Sequence, residues 1–429
     1  MHDIRKDKDE MKRIKSVQVR HQYTLLQCFY WVSSCAIMGF ATVFLQYRGL
    51  SNTLVGMSIG GAAFISIWMQ PFLAGVVEKV RGLSLKKMIL LIILAVTAGY
   101  MFLGLVPLPK MAIVGVYLVL NTLYNSITPL ITAMGMEYMN QGYEVNFCIS
   151  RGLGSVSYAV SAVVLGQLVE HFFPGILTFA FAGMEILLFT VVVSMQEPES
   201  SVVKEEQEPS SSVIEILKAN RPLLLFVAGF GICYMTSSIL GTYMINIVRE
   251  LGGTDGTFGI AAFFCAASEM PAMFLCNYLI RKVSCKKLLK LSSVFFVLRP
   301  LVIFLAPNLA VAFLGFALQS LSFGIFTPVS VFFINQELKE KDRVVGQTIF
   351  GMVTVGVGSC VGNLAGGFLM DRIGLKTTLG LCVIFAAVGF LITQRVKVED
   401  TGPRRRILQI ENSRVEKREY NRERGSNER

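Results

Sequence analysis

The sequence contains twelve long, predominantly apolar runs separated by short polar segments. The runs begin near residues 23, 54, 88, 111, 145, 175, 222, 258, 291, 310, 345 and 377, and most are 16 to 28 residues long. A helix needs about 20 apolar residues to cross a hydrocarbon core of about 30 Å. Transmembrane β-barrels instead show shorter segments of alternating polarity, and no such alternation is seen. The runs therefore predict an all-α polytopic membrane protein with twelve transmembrane helices.

The composition leads to the same fold class. Hydrophobic residues make up 53% of the 429 residues and charged residues 16%, and the mean hydropathy is +0.57. Soluble globular domains contain about 25% charged residues. The chain is therefore expected to reside in a lipid bilayer.

The basic residues are distributed unevenly between the two sides of the predicted membrane. If the N-terminus is cytoplasmic, 33 of the 40 Lys and Arg residues fall in cytoplasmic segments and five in loops on the other side. The remaining two, Arg151 and Arg299, lie within apolar runs. This asymmetry is the positive-inside pattern. It predicts a multi-pass plasma-membrane protein with both termini cytoplasmic, and it accounts for the formal charge of +11 without a nucleic-acid partner.

A polar, Ser- and Glu-rich segment divides the apolar runs into two sets of six. Residues 196–221 form this predicted cytoplasmic linker, because acid, serine and proline in this density cannot cross a membrane. We expect six-helix bundles over residues 23–195 and 222–394. A charged cytoplasmic segment, residues 1–22, precedes the first bundle, and a basic cytoplasmic tail, residues 395–429, follows the second.

The two predicted bundles contain similar short segments at equivalent places. The segment "EKVRGLSLKKMIL" follows the second run and "IRKVSCKKLLKL" follows the eighth. The fifth run closes with "GQLVE" (166–170) and the eleventh with "GFLMD" (367–371). Internal symmetry of this kind is typical of transporters built from repeated halves, in which the solute site lies near the membrane midplane between the halves. We therefore predict an internal duplication.

Three glycines recur at intervals of four residues in the eleventh run. Gly358, Gly362 and Gly366 would share one helical face and allow a neighbouring backbone to approach closely. Such a face can serve helix packing within the bundle or dimerisation of two chains. In a twelve-helix bundle we favour internal packing, and we expect a monomer.

The loop after the second run resembles the signature loop of the major facilitator superfamily. "QPFLAGVVEKVRGLSLKK" (70–87) has its glycine region, acid, base and basic cluster, and "GGFLMDRIG" (366–374) is similar to a phrase at the end of that family's eleventh helix. Glu replaces the more usual Asp, and one extra residue precedes the last two lysines. The resemblance covers about residues 23–394 and implies a cytoplasmic latch against helix eleven. The residues of this gating loop are Glu78, Lys79, Arg81, Lys86 and Lys87.

Two further phrases resemble the branch that includes lactose permease and phenylpropionate permease. They are "RGLGSVSYA" (151–159) and "SEMPAMF" (268–274). The resemblance implies that Arg151 binds solute and that Tyr158 occupies the position of an aromatic residue that stacks on it. It also implies that Glu269 and Arg299 couple the solute to a proton.

The sequence departs from that branch at two solute-binding positions. Thr132 stands where the sugar permease has an acid on helix four, and Gln319 stands where the branch often has histidine. A galactoside site is therefore not expected. We predict a solute site formed by Arg151, Tyr158, Thr132, Asn125 and Gln319.

Ionisable residues inside the apolar runs support a coupling role independently of the resemblance. An ion at the bilayer centre costs between about 3 and more than 10 kcal/mol unless it is paired or hydrated. Glu269 lies about 16 Å from the cytoplasmic end of its run and Arg299 about 12 Å, at 1.5 Å per residue. A carboxylate that alternately gains and loses an arginine partner can take up and release a proton. We predict this role for Glu269, with a fixed structural ion pair as the alternative.

Arg151 and Glu185 are the other two deep charges. Glu137, Glu144 and Glu185 are possible partners of Arg151, which we predict to be a solute ligand, a cytoplasmic gate arginine being the alternative. Glu185 is a candidate second titrating group. The formal charges of the two acids, Glu269 and Glu185, and of the two bases, Arg151 and Arg299, sum to zero. A neutral polar solute therefore fits slightly better than an anion.

Enzymes and channels are disfavoured by the residues that are missing. There is no GxxxxGK[ST] loop and no HExxH motif, and no histidine lies in an apolar centre, so we predict no catalytic residue, metal or cofactor. The sequence predicts a secondary active transporter, specifically a proton-coupled symporter for a small organic solute such as a sugar, a nucleoside or a weak organic acid. The alternatives are a proton-driven exporter and a non-transporting sensor of the same fold.

Overall fold

The computed structural model describes residues 2–80, 82–198 and 211–398. Arg81 of the predicted gating loop, residues 199–210 of the predicted linker and nearly all of the predicted basic tail lie outside the described residues. Within the described part, the chain forms twelve long helical rods and a short helix in the linker, without strands.

The N-terminal half contains helices 1 to 6. Their bounds are His2–Ser34, Cys35–Gly39 and Ala41–Tyr47 for helix 1, Asn52–Lys79 for helix 2, Leu85–Leu105 for helix 3, Lys110–Asn125 and Ile127–Asn140 for helix 4, Phe147–His171 for helix 5, and Ile176–Ser194 for helix 6.

The linker helix, Val213–Ala219, precedes helices 7 to 12 of the C-terminal half. Their bounds are Arg221–Thr242 and Met244–Glu250 for helix 7, Asp255–Lys282 for helix 8, Cys285–Phe304 for helix 9, Leu309–Ala317, Ser320–Gly324 and Ile325–Glu337 for helix 10, Glu340–Gly351, Met352–Gly358 and Ser359–Ile373 for helix 11, and Leu375–Gln394 for helix 12.

Most of these helices have the length and the hydropathy that are needed to span a membrane. Nine described helices are long and apolar enough to cross a bilayer, and helix 1, bent by 44°, makes a tenth. The remaining two are helices 8 and 9, which carry Glu269 and Arg299 in their middles and basic residues at one end. Buried charges lower the hydropathy of a span without removing it from the membrane. The all-α polytopic fold with two six-helix bundles is confirmed.

Serine caps start corresponding helices of the two halves. The Ser84 hydroxyl accepts a hydrogen bond from the Lys87 backbone N–H at the start of helix 3. The Ser284 hydroxyl accepts one from the Lys287 N–H at the start of helix 9. Each cap satisfies a backbone donor that has no partner within the helix. The repeated loop segments found in the sequence thus perform the same local task in both halves.

Lysines in these helices also tie each half together. Lys86 Nζ donates to the carbonyls of Val193 (2.8 Å) and Met195 (2.5 Å) at the end of helix 6. Lys290 Nζ donates to the Gln394 carbonyl (2.9 Å) at the end of helix 12. A cation near a helix C-terminus pairs favourably with the unsatisfied carbonyls there. The last helix of each half is therefore anchored to the third helix of that half.

The apolar core is continuous across one face of the protein only. We call the side on which helix 1 begins and helix 12 ends the inner face, and the opposite side the outer face. One buried cluster fills the N-terminal half and extends to the outer parts of helices 7 to 12, while a second occupies the inner part of the C-terminal half. The two halves therefore pack together mainly toward the outer face.

The glycine face of helix 11 packs inside the bundle. A Cβ on Gly358 would lie 2.9 Å from the Gly231 carbonyl oxygen, and one on Gly362 would overlap the Met235 carbonyl. Gly366 faces Ile239 in the same way. All three contacts are with helix 7, so the prediction of internal packing is confirmed.

Candidate functional site

A central cavity of about 1120 Å³ lies between the two halves. Its wall is formed by helices 1, 2, 4 and 5 of the N-terminal half and helices 7 to 11 of the C-terminal half. A cavity of this size is slightly larger than the usual range for small-molecule sites, about 300 to 1,000 Å³.

Polar contacts between the halves close this cavity at the outer face. Thr42 Oγ1 donates to the Thr242 carbonyl (2.5 Å), and Gln46 Nε2 donates to Asn246 Oδ1 (2.8 Å). Toward the inner face the wall includes Trp68, whose side chain is 60% exposed, and Thr348 near the start of helix 11. The cavity is therefore closed at the outer face and open toward the inner face.

Glu269 lies in the cavity wall at the middle of the 28-residue helix 8. Its Oε1 accepts a hydrogen bond of 2.5 Å from Gln319 Nε2 on helix 10. The carboxyl thus has one amide partner and faces the water-accessible space between the halves. It does not face lipid.

Arg299 lies in the same wall but forms no ion pair with Glu269. Its side chain is buried, and its Nη1 donates to Ser237 Oγ on helix 7 at 2.9 Å. Within the described part of the chain, no ion pair of 4.0 Å or less joins Arg299 to Glu269, and Arg299 Nε has no hydrogen-bond partner. In this conformation Gln319 is the partner of the acid, so the direct pairing expected from the sequence is not formed.

Arg151 faces the cavity from helix 5 and is held by an aromatic ring. Its guanidinium carbon lies 3.8 Å from the centroid of the Trp31 ring, and its Nη1 donates to Ser155 Oγ at 2.8 Å. Stacking of this kind is a cation–π contact. Among the described residues, neither Glu137 nor Glu185 is ion-paired with Arg151, so the guanidinium remains available to a solute.

Three more predicted solute ligands line the same cavity. Asn125 Nδ2 donates to Asn121 Oδ1 at 3.0 Å, and both amides belong to the wall. Tyr158 lies on helix 5, and its ring centroid is 6.3 Å from that of Trp31 on helix 1. Gln319 completes the set. The structure thus brings together aromatic faces, amides and guanidinium groups from both halves.

Thr132 and Glu185 are not part of this cavity wall. Thr132 donates to the Thr128 carbonyl (2.9 Å) and borders a separate cavity of about 10 Å³ on the other side of Arg151. Glu185 is 1% exposed in the interior of the N-terminal half. The charged residues of the wall are therefore Arg151, Arg299 and Glu269, which leave one positive charge when the acid is ionised. Of the four deep charges that sum to zero, Glu185 is therefore the one that does not belong to the cavity wall.

The predicted gating loop lies on the inner face, after helix 2. Glu78 and Lys79 are exposed at the end of helix 2. Lys86 is bound to helix 6, and Lys87 Nζ donates to the Gly82 carbonyl (2.7 Å) and lies 3.9 Å from Glu197. With the inner side of the cavity open, these two lysines contact helix 6 and their own loop.

The sequence alone did not point to Ser237, which holds Arg299. It offered Asn363 only as one of several polar residues that could supply hydrogen bonds in a cavity, and the buried Oδ1 of Asn363 lacks a partner in the described part of the chain. Both are polar residues inside apolar runs, a signal shared with many residues that only join helices. Glu170 and Asp371 also escaped assignment, although the repeated phrases that end in them marked their places.

Comparison with known proteins identifies the family. The model of the MFS_1 like family matches residues 22–380. The chain is 22% identical to the transporter YwbF of Bacillus subtilis (strain 168), over 88% of this chain and 94% of that protein. It is 23% identical to a maltose permease of Geobacillus stearothermophilus, over 83% of this chain and 89% of that protein.

Solved structures share the fold at lower identity. The nucleoside transporter NupG superposes with a TM-score of 0.72 at 15% identity, covering 89% of this chain and 100% of NupG. A D-xylose-proton symporter gives a TM-score of 0.64 at 14% identity, covering 91% of this chain and 99% of that one. With the family match extending over most of its length, the chain belongs to the MFS_1 like family and is a membrane transporter of the major facilitator type.

Proposed function

We propose that the protein is a proton-coupled symporter that takes up a small organic solute by alternating access. The observation that carries this proposal is the setting of Glu269. Its carboxyl lies at mid-membrane in the wall of an open cavity, bound by Gln319, while Arg299 stands in the same wall bound to Ser237. Arg151 also belongs to this wall.

The proton step follows from a change of partner. When the Glu269 carboxyl is protonated it is neutral, and the hydrogen bond from Gln319 is sufficient to hold it. When it releases the proton, the anion is stabilised by the guanidinium of Arg299, which must then leave Ser237. The protonation state of Glu269 on helix 8 would thereby control the contact of Arg299 with helix 7, and the empty carrier would return with the two charges paired.

The predicted orientation sets the direction of this cycle. With both termini cytoplasmic, the inner face is the cytoplasmic face and the described conformation is open to the cytoplasm. Solute and proton would then have entered from the outside in the opposite conformation. The gating loop, with Glu78, Lys79, Lys86 and Lys87, would close the inner face in that conformation.

The solute site is proposed to comprise Arg151, Tyr158, Asn125 and Gln319, and Thr132 is no longer included. The rings of Trp31 and Tyr158 offer a stacking surface, and the guanidinium groups offer donors for hydroxyl or carboxylate oxygens. Named relatives and structural neighbours include a maltose permease, a nucleoside transporter and a D-xylose-proton symporter. Sugars, nucleosides and monocarboxylates are therefore the first solutes to screen by thermal stabilisation of the purified protein.

The test uses a Glu269→Gln variant in vesicles loaded with the stabilising solute. Gln keeps the hydrogen-bonding shape but carries no proton, so exchange of solute across the membrane should persist while proton-driven accumulation is lost. Glu185→Gln, which neutralises a deep acid outside the cavity, is the matched control and should accumulate solute normally. Intact accumulation by Glu269→Gln would refute the coupling role, and expulsion of solute by inward protons would favour the exporter.

A further inference from the structure

Asp371, at the end of helix 11, binds the first turn of helix 2 in the other half of the protein. Its Oδ1 accepts hydrogen bonds from the Asn52 backbone N–H (3.2 Å) and Asn52 Nδ2 (2.9 Å). Its Oδ2 accepts from the Thr53 backbone N–H (2.8 Å) and Thr53 Oγ1 (2.6 Å). One carboxylate thus receives four hydrogen bonds across the boundary between the two halves, at the outer face.

Glu170, at the end of helix 5, makes the equivalent contact with helix 8. Its Oε2 accepts from the Gly256 backbone N–H (2.9 Å) and from Thr254 Oγ1 (2.9 Å). Thr254 is the N-terminal cap of helix 8. This contact again joins the C-terminal end of a helix in one half to the N-terminal end of a helix in the other.

The two contacts are related by the internal duplication. Glu170 and Asp371 close the phrases "GQLVE" and "GFLMD", and each acid follows a glycine by four residues. A Cβ on Gly166 would lie 2.9 Å from Gly259 Cα, and one on Gly367 would overlap the Asn52 carbonyl. Each acid therefore continues a glycine-lined face on which the two halves already touch.

We propose that Glu170 and Asp371 form a pair of clamps that hold the outer face closed, so that release of both carboxylates from their helix N-termini accompanies opening to the outside. This inference does not depend on proton coupling or on the identity of the solute. It assigns a gating function to two acids outside the central cavity.

The physical basis is the interaction of a carboxylate with a helix N-terminus. The first N–H groups of a helix lack partners within it and carry partial positive charge. Hydrogen bonds from them to a carboxylate are charge-assisted and stronger than bonds between neutral groups. When helix 2 leaves helix 11, and helix 8 leaves helix 5, these bonds must break. Both clamps therefore stabilise the conformation that is closed at the outer face.

The two clamps should contribute unequally. Asp371 accepts four hydrogen bonds and Glu170 two. We expect Asp371→Asn to raise the fraction of molecules open to the outer face by about fivefold and Glu170→Gln by about twofold. Because the two sites lie on separate helix pairs, the double variant should show about the product of the two effects.

A cysteine introduced at Gly241 would report this opening. Gly241 belongs to the cavity wall on helix 7, and a Cβ there would meet open space. We would measure the initial rate at which an impermeant maleimide modifies the Gly241→Cys variant at this position from each face of sealed vesicles, by quantitative peptide mass spectrometry. The protein without this substitution sets the background, and a tag on the C-terminus identifies the inner face.

The expected result is side-specific. Asp371→Asn and Glu170→Gln should raise the labelling rate from the outer face and lower it from the inner face. Glu250→Gln is the matched control, because it removes an exposed outer-face acid at the end of helix 7 that makes no hydrogen bond or ion pair with the other half in the described part of the chain. That variant should leave both rates unchanged.

Several outcomes would overturn the proposal. They are unchanged rates in the Asp371→Asn and double variants, an equal rise on both faces, which would indicate general loosening, or a shift of the same size in Glu250→Gln. If Asp371→Asn does not fold, Asp371→Glu keeps the charge on a longer side chain. That variant should fold and label at a rate between those of the wild type and the double variant, and a wild-type rate would count against the clamp.

Discussion

The two halves of this transporter share a frame but differ in what they present to the central cavity. Ser84 and Ser284 cap equivalent helices, and Glu170 and Asp371 end equivalent helices at the outer face. In the cavity, the N-terminal half contributes a guanidinium stacked on Trp31, whereas the C-terminal half contributes an acid, a second guanidinium and their polar partners. Residues that hold helices in place are repeated, and residues that face solute are not. We therefore propose a division of labour, with most of the proposed solute ligands in the N-terminal half and the proposed coupling residues in the C-terminal half.

The most direct test of the proposed difference between the two halves is to remove the charge of Arg299. Taking one member out of a buried charged group costs about 3 to 5 kcal/mol. Arg299→Gln should therefore lower proton-driven accumulation more than about 100-fold, measured as solute uptake into vesicles under an imposed pH gradient. Arg299→Lys keeps a cation and should recover part of the uptake, and normal accumulation by Arg299→Gln would end the proposed division of labour.

The next largest effect should come from the seam between helices 7 and 11. A side chain on Gly362 would overlap the Met235 carbonyl and the Ser238 hydroxyl. Gly362→Leu should therefore cost about 1 to 3 kcal/mol of stability, read as a fall in the thermal unfolding midpoint. Gly183, in helix 6 of the other half, has open space around its Cα, so Gly183→Leu should be tolerated. Equal losses in both variants would contradict this account of the packing.

A smaller and different effect is expected from Arg151 in the N-terminal half. Losing one charge-assisted hydrogen bond to the solute costs about 1.5 kcal/mol, or about tenfold in affinity. Arg151→Gln should therefore need about ten times more solute for half-maximal thermal stabilisation, while the accumulation ratio at saturating solute stays close to that of the wild type. Loss of the accumulation ratio at unchanged affinity would place Arg151 in the coupling step instead.

The smallest predicted effects test whether the frame is equivalent in the two halves. Ser84→Ala and Ser284→Ala each remove one helix cap, worth about 1 kcal/mol. Thermal unfolding midpoints of the two variants should fall by similar amounts, and transport should be nearly unchanged. A much larger loss in one of them would show that the repeated caps are not equivalent.

The sequence predicted the position of a residue along its helix much better than the side of the helix on which that residue lies. Run lengths were sufficient to predict the spans, and Glu269 and Arg299 both lie in the cavity wall. Thr132 and Glu185 have suitable depth too, yet they point away from the cavity. In a bundle surrounded by lipid, the outward and inward faces of a helix are both apolar, so periodicity does not reveal which face a polar residue shares.

Hydrogen-bond partners were the other feature that sequence reasoning could not supply. The amide of Gln319 occupies the place beside Glu269 that was expected for Arg299, because Ser237 on a third helix holds the guanidinium. That choice depends on how three separate helices meet. The clamps of Glu170 and Asp371 likewise join segments that are far apart in the chain.

Helices 1, 10 and 11 each contain a π-helical stretch, Cys35–Gly39, Ser320–Gly324 and Met352–Gly358. A π turn holds about one residue more than an α turn, so everything beyond it is rotated by about 100° compared with an uninterrupted helix. Gln319 immediately precedes the stretch in helix 10. Deleting a single residue after Gln319 would convert the π turn to an α turn and rotate the following half of the helix by about 100°. Gln319 itself would stay in place. The surface that helix 10 shows to solute is thus set by how many residues the chain has there as well as by which ones they are.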